Sequence, residues 1–238
     1  EETGRRTHLY YPGTSGLLTP DHFQFEGSRA RILHLGLPGL HEQMDKPWNG
    51  DPSGWVTVLK GARAAGIKTN LEMCSLPAPR LLEVVAPCLG HLDYLIINDF
   101  EVAALSQRPI RHGEDVDLRD CLANAKDVFD RSSVELLVVH FPRGAIAMQR
   151  GADPLVIPSV AVPKEAIAGS NGAGDAFASG ILYGIHQGWR LRDALQLAHS
   201  AAAASMRHIG TTDSIERWQD CLALAKVYGS RAELEFPA

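Results

Sequence analysis

Residues 169–180 read GSNGAGDAFASG and join a loop of small residues to the start of a helical pattern. Gly172 and Gly174 allow the backbone to curl and to approach a ligand closely. The free amide groups and the dipole at a helix start attract a negatively charged group, above all a phosphate. The stretch therefore predicts an anion-binding turn at the start of a helix over residues 173–187.

Asp175 falls in the first turn of that helix, where its charged form is favoured. A carboxylate beside a phosphate-binding turn is explained if it accepts a proton from a hydroxyl group that attacks the phosphate. The turn would meanwhile hold the negative charge that develops on the transferred group. An aspartate that follows glycines is also a common helix-start signal, and composition alone favours that simpler interpretation.

Upstream of the turn, short apolar segments alternate with helical patterns, which predicts a mostly parallel α/β sheet covered by helices on both faces. The predicted strands are 7–11, 31–37, 67–73, 94–97 and 135–140, with a hairpin-like pair at a sheet edge over 144–149 and 156–162. The predicted helices are 55–65, 80–89, 99–106, 117–131, 173–187, 191–208 and 214–228. Because no long linker interrupts this order, we predict a single domain over residues 1–238.

Composition and motifs argue against several classes of protein. The net charge of −5 gives no reason to expect nucleic acid or an anionic membrane as a partner. No apolar run approaches the roughly 20 residues of a membrane-spanning helix. The four scattered cysteines, without a C-x-x-C pair or a preceding signal peptide, favour a cytoplasmic protein. No G-x-G-x-x-G or G-x-S-x-G motif supports a Rossmann dehydrogenase or a serine hydrolase.

The run NGAGDAFASGILYGI resembles the C-terminal signature of the ribokinase-like (PfkB) carbohydrate kinases, D-T-x-G-A-G-D-x-F. The matching residues are Gly172, Ala173, Gly174, Asp175 and Phe177. The resemblance implies a ribokinase-like three-layer α/β/α fold that binds ATP. It also implies that residues 172–174 form the anion hole and that Asp175 is the catalytic base.

A second resemblance lies at Asn98 and Glu101, which follow a predicted strand and match the family's N-x-x-E motif. It implies a role in positioning Mg²⁺ and phosphate. Polar groups just past a strand lie where open α/β sheets bind ligands, and Mg²⁺ favours one or two carboxylates together with water and phosphate oxygens. The same spacing is equally typical of a capping box at a helix start, so both interpretations stay open.

Four further residues fall where the family borders its nucleotide. Residues 138–144 (VVHFPRG) stand in the place of the family's strand and T-x-G-x-x-G loop. Gly144 matches that loop, His140 replaces its Thr, and Arg143 can neutralise a phosphate. His199 stands where the family often has Asn near the adenine. The resemblance implies nucleotide contacts for all four, whereas a solvated arginine and a histidine packed on its helix are the plainer alternatives.

Two departures limit what the resemblance implies. Gly169 and Ser170 replace the Asp-Thr that opens the signature, and that Asp tends to belong to a monovalent-cation site, so potassium activation is not implied. The family's G-G-x-x-x-N motif, which grips the sugar, is not found. The resemblance covers about residues 5–225. We therefore expect an incomplete N-terminal unit and lid, with residues 1–30 as a strand and turn next to that lid.

Together these features predict an ATP-dependent kinase that phosphorylates a hydroxyl of a small sugar. Two alternatives stay open. One is a nucleoside or other small-alcohol kinase of the same fold, and the other is a degenerate kinase that binds a ligand without catalysis. The resemblance also leaves a homodimer open, because the family's lid often forms the dimer contact.

Overall fold

The computed structural model describes residues 9–74, 76–111 and 116–234. Within them, six strands form one sheet in the order β1-β2-β3-β4-β5-β6. The strands are β1 Ile32–Leu35, β2 Lys68–Leu71, β3 Tyr94–Asn98, β4 Leu136–Phe141, β5 Gly144–Gln149 and β6 Leu155–Pro158. β1 to β4 pair in parallel, and β5 and β6 continue the sheet in antiparallel pairs. The predicted mostly parallel sheet with a hairpin at one edge is confirmed.

Helices cover both faces of this sheet. They are α1 Gly54–Ala64, α2 Ala78–Val85, α3 Asp99–Ser106, α4 Leu118–Arg131, α5 Ala173–His186, α6 Leu191–Ser205 and α7 Trp218–Tyr228. Helices α1 to α4 enclose the larger apolar core, in which Trp55, Leu71 and Leu137 are fully buried. On the opposite face α5 and α6 pack on β3 to β6, and α7 packs on α6. The result is the expected three-layer arrangement.

The contact between α5 and α6 depends on small side chains. A Cβ atom added to Gly180 would lie 2.6 Å from the Cα atom of Ala198. One added to Gly184 would lie 2.5 Å from the Cβ atom of Ala194. The backbones of the two helices therefore approach at van der Waals distance, and this contact sets the position of the start of α5 above the sheet.

Several predicted boundaries are wrong for local reasons. Residues 7 and 8 lie outside the described residues, and residues 9–11 are not in a strand. The helix predicted over 80–89 is α2 followed by a 3-10 turn at Ala86–His91, because Pro87 cannot donate the next helical hydrogen bond. At the end of α6, the carbonyl of Met206 accepts from the amides of Ala168 (2.8 Å) and Gly169 (3.3 Å) instead of extending the helix.

The last predicted helix also begins later than expected, since α7 starts at Trp218 and residues 206–217 form a loop beside the glycine turn. Within the described residues, no helix is both long enough and apolar enough to span a membrane. The extent of a single domain over residues 1–238, and the place of residues 1–30 beside a lid, stay predictions.

Candidate active site

The glycine turn lies where the sequence predicts, at the start of α5. Gly172 is the N-cap residue, and its φ of 76° is a left-handed conformation that favours glycine. A Cβ atom added there would also lie 2.7 Å from the carbonyl oxygen of Thr211. Residues 172–174 are half-buried, and no side chain caps the first amide groups of the helix. The amide of Ala173 donates to the carbonyl oxygen of Ser170 at 3.4 Å, and within the described residues the amides of Gly172 and Gly174 are the ones available to an anion.

Asp175 is exposed in the first turn of α5. Within the described part of the chain it makes no hydrogen bond or ion pair through its carboxylate. The side chain is thus neither sealed in the core nor held by a cation of this part of the chain. Both conditions are needed for a carboxylate that accepts a proton from a ligand.

Asn98 and Glu101 form a complete capping box at the start of α3. Oδ1 of Asn98 accepts from the amide of Glu101 at 2.9 Å, and Oε2 of Glu101 accepts from the amide of Asn98 at 2.9 Å. The side-chain oxygen of Asn98 is therefore occupied by the backbone. The second carboxylate oxygen of Glu101, Oε1, takes no part in the capping box. It can therefore contact a ligand.

The residues around Glu101 fit a divalent cation. Burial is the main cause that raises the pKa of Glu101 to about 7, and the negative charges of Glu72 and Asp99 raise it further. A nearby cation would offset this burial and repulsion. Within the described ranges, no three His, Cys, Asp or Glu side chains are grouped to hold a metal. A bound Mg²⁺ would therefore need phosphate and water oxygens as additional ligands.

His140 and His199 flank Phe177 next to the glycine turn. The ring centroids of His140 and Phe177 are 4.9 Å apart, and those of Phe177 and His199 are 5.0 Å apart. A Cβ atom added to Gly174 would lie 3.6 Å from Cε1 of His140, so this ring supports the turn. Burial lowers the pKa of His140 to about 4 and that of His199 to about 3, which keeps both rings neutral at pH 7.

Arg143 and Gly144 lie at the turn between β4 and β5. Arg143 is half-buried, and Gly144 is buried at the first position of β5. A Cβ atom added to Gly144 would clash with the carbonyl oxygen of Ile157 and would lie 2.6 Å from Cδ1 of Leu234. The approach of β6 and of Leu234 thus explains this glycine without a ligand. Nucleotide contacts by Arg143 and Gly144, and by His140 and His199, stay predictions.

A group of polar side chains at the carboxyl ends of β1 and β2 was not predicted from the sequence. Nε2 of His34, in β1, lies 3.1 Å from Oε2 of Glu72, and Nδ1 lies 2.8 Å from Nδ2 of Asn70 in β2. The register pairs His34 with Asn70. The available signal was the set of polar residues at 68–70 and 72 in a segment predicted as a buried strand.

Solved structures define the fold class as ribokinase-like. The structure is similar to that of 2-dehydro-3-deoxygluconokinase from Thermotoga maritima, with a TM-score of 0.69 and 16% identity over 88% of this chain and 65% of that chain. It is also similar to Arabidopsis thaliana ribokinase complexed with ribose and ATP, with a TM-score of 0.60 and 19% identity over 72% of this chain and 52% of that chain. The fold implied by the glycine signature is confirmed.

The chain belongs to the pfkB family of carbohydrate kinases, whose family model matches residues 1–218. Among curated relatives, adenosine kinase 1 of Arabidopsis thaliana is 27% identical over 161 residues, which is 62% of this chain and 44% of the relative. Adenosine kinase of Schizophyllum commune is 27% identical over 166 residues, 66% of this chain and 48% of the relative. The chain thus matches less than half the length of these relatives.

Proposed function

We propose that this protein transfers the γ-phosphoryl group of ATP to a hydroxyl of a small sugar. One observation supports this above all. The helix start at Gly172 has no side-chain cap, and the exposed carboxylate of Asp175, three residues on, is without a partner in the described residues. A free anion-binding turn next to a free carboxylate provides the two groups that phosphoryl transfer to an alcohol requires.

In the proposed reaction, Asp175 takes the proton from the attacking hydroxyl, whose oxygen bonds to the γ-phosphorus as the bond to the β-phosphate oxygen breaks. The amides of residues 172–174 hold the charge on the transferred group. Glu101, oriented by its bond from the Asn98 amide, would hold Mg²⁺ directly or through water. When bound, the ion supplies positive charge beside the phosphates. ATP would extend towards His140, Arg143, Gly144 and His199.

A nucleoside is the second candidate for the acceptor. The curated relatives described above are adenosine kinases, and a nucleoside kinase of Burkholderia thailandensis in complex with inosine has a similar structure. That similarity has a TM-score of 0.57 and 18% identity over 86% of this chain and 59% of that chain. Ribose and adenosine are therefore the first acceptors to compare. We further propose a cytoplasmic enzyme, in keeping with its four free cysteines.

The substitution Asp175→Asn tests the catalytic assignment. We expect turnover to fall by about 100- to 10,000-fold or more, the range for loss of a general base, while ATP affinity stays unchanged. Asp220→Asn is a matched control, because Asp220 is the third residue of α7 as Asp175 is of α5. Acceptor-dependent ATP consumption and ATP binding by calorimetry are the measurements.

Two results would contradict the proposal. Loss of ATP binding or of thermal stability together with turnover in Asp175→Asn, but not in Asp220→Asn, would show a structural role for Asp175. A wild-type protein that binds ATP but consumes none with any sugar or nucleoside would favour the non-catalytic ligand-binding alternative.

A further inference from the structure

His34, Asn70 and Glu72 form a polar cluster at the carboxyl ends of β1 and β2. Asn70 is fully buried, and its Nδ2 lies 2.8 Å from Nδ1 of His34. An amide nitrogen only donates, so Nδ1 accepts and the ring proton lies on Nε2. The Nε2 atom that carries this proton lies 3.1 Å from Oε2 of Glu72. The cluster therefore presents an N–H donor and a carboxylate side by side.

Two acceptor atoms of this cluster are buried without a hydrogen-bond partner, Oδ1 of Asn70 and Oε2 of Glu72. The contact of Oε2 with the His34 ring does not have hydrogen-bond geometry. Buried polar atoms in native proteins are nearly always paired, because an unpaired one has lost its hydration without compensation. The side chains of His34 and Glu72 are partly exposed, so a ligand that enters beside them and turns them can bring hydrogen-bond donors to both atoms and remove this cost.

The cluster lies on the same face of the sheet as the glycine turn. Leu71 belongs to the core under α1 to α4, so its neighbours Asn70 and Glu72 point to the opposite face. That face carries α5, whose turn contacts His140 at the end of β4. The carboxyl ends of parallel strands are the edge at which open α/β sheets bind ligands. The cluster thus borders the candidate active site on the side away from β5 and β6.

The space for Glu72 depends on a small neighbour. A Cβ atom added to Gly36, which follows β1, would lie 2.9 Å from Cβ of Glu72 and 3.3 Å from its carbonyl oxygen. The amide of Glu72 is tied to the carbonyl of Leu35 at 2.7 Å, so the backbone cannot easily yield. The position of the carboxylate is therefore set by β1 as well as by β2.

The mixture of donor and acceptors indicates the class of ligand. The Nε2–H of His34 cannot bind a metal ion, and although the negative charge of Glu72 also acts on Glu101, the described residues hold no group of three ligating side chains. A hydroxyl group both donates and accepts a hydrogen bond. Two neighbouring hydroxyls can donate to Glu72 and Asn70 while one of them accepts from His34.

We propose, on the basis of the proposed kinase function, that this cluster recognises two neighbouring hydroxyls of the phosphoryl acceptor. Glu72 is the main specificity-determining residue, Asn70 and His34 contact the same hydroxyls, and Asn70 also fixes the orientation of the His34 ring. The same pair of hydroxyls occurs in a free pentose and in the ribose of a nucleoside. The cluster can therefore bind either a sugar or a nucleoside. The compounds used in the test distinguish these two acceptors.

The test compares phosphoryl transfer to ribose, 2-deoxyribose, adenosine and 2′-deoxyadenosine. For its preferred acceptor, the wild-type protein should favour the hydroxylated form over the deoxy form by roughly 10- to 100-fold in kcat/KM, as expected for a hydrogen bond to a charged group. Glu72→Gln should lose most of this preference, while KM for ATP is unchanged. Glu83→Gln, on the exposed face of α2, should behave as wild type.

A second variant covers the case in which Glu72→Gln does not fold. His34→Gln alters a side chain that is 44% exposed, and it should reduce the preference part of the way. A preference unchanged in both variants overturns the proposal. So does a Glu72→Gln enzyme that requires more Mg²⁺ with its preference intact, because Glu72 would then act on the metal.

Failure of the kinase function is distinguishable from failure of this inference. If no acceptor is phosphorylated, the proposed function fails, and calorimetry with the same four compounds still tests the cluster. Weaker binding of ribose or adenosine to Glu72→Gln than to Glu83→Gln would support hydroxyl recognition. Equal binding to both variants, or no binding to wild type, would overturn it.

Discussion

Burial sets the ionisation of the side chains around the glycine turn. It lowers the pKa of His140 and His199, and it raises the pKa of Glu101, because in each case the charged form would lose hydration. The two neutral rings beside the turn therefore add no positive charge to it. The attraction for an anion comes from the backbone amides of the turn and from the dipole of α5.

The lowered pKa of His199 makes the folded state sensitive to acid. The unfolded chain binds a proton on this residue near pH 6.5, whereas the folded chain does so only near pH 3, so stability is lost as pH falls below 6.5. At pH 5 we expect a loss of about 2 kcal/mol from this group. His140 contributes in the same way, so His199→Phe should remove about half of the change that these two residues cause in the free energy of unfolding between pH 7.5 and pH 5, measured by urea denaturation.

His186→Gln is the control for this prediction, because His186 is exposed at the end of α5 and should leave the pH dependence as in wild type. Parallel pH profiles for wild type and His199→Phe would contradict the prediction. They would mean that the imidazole of His199 is already protonated in the folded state, or hydrated in it.

Among the elements, α5 connects the core to the candidate site. Its small residues allow close packing on α6, and its start is held by the loop that follows α6. In that loop the carbonyl oxygen of Thr211 lies beside Gly172, and the carbonyl of Met206 accepts from the amides of Ala168 and Gly169, upstream of the glycine turn. A change in the contact between the helices should therefore affect both stability and the geometry of the turn.

Gly180→Ala tests this contact. The new methyl group would meet the backbone of Ala198, which cannot move aside, so we expect a loss of about 1–3 kcal/mol in the free energy of unfolding. Gly90→Ala is the matched control, since a Cβ atom at Gly90 has open space around it. Urea denaturation of both variants is the measurement. Equal stability of the two would show that α5 and α6 can separate without cost.

For the molecule as a whole, β1 and β6 are the outer strands of the described sheet. Within residues 9–74, 76–111 and 116–234, no further strand pairs with the outer side of β1. A cavity of about 290 Å³ lies beside this edge, and its lining includes Phe23, Phe25, Ile32 and Leu33. Unpaired edges with apolar surroundings are sites where another strand can be added. Such a strand can come from another part of the protein or from a second copy of it.

We expect the polypeptide of residues 1–238, expressed alone, to associate through β1 at high concentration. Ile32→Lys places a charge on this edge and should yield monomers, because a lysine on an edge strand opposes pairing. Val227→Lys changes an apolar residue that is 79% exposed on α7, and it should leave the dimer intact. Light scattering during size-exclusion chromatography gives the mass of each. A wild-type monomer, or dissociation by both variants, would contradict the prediction.

Much of this molecule was predictable from sequence because the signals are local. The glycine turn, the first turn of α5 and the capping residues of α3 depend on neighbours within about four positions, as helix starts do generally. The bounds of α3 and β5 agree with the predictions to the residue. The family was likewise predicted from one continuous run, residues 171–185, and the family match confirms it.

The type of each observed strand and α-helix, the position of the glycine turn and the family thus followed from the sequence alone. The long-range contacts of the polar residues and glycines became visible only in the folded chain. Gly144 is explained by the approach of Leu234, and His34 lies against Glu72. These contacts join residues far apart in the sequence, and their meeting depends on strand order, register and the packing of helices on the sheet.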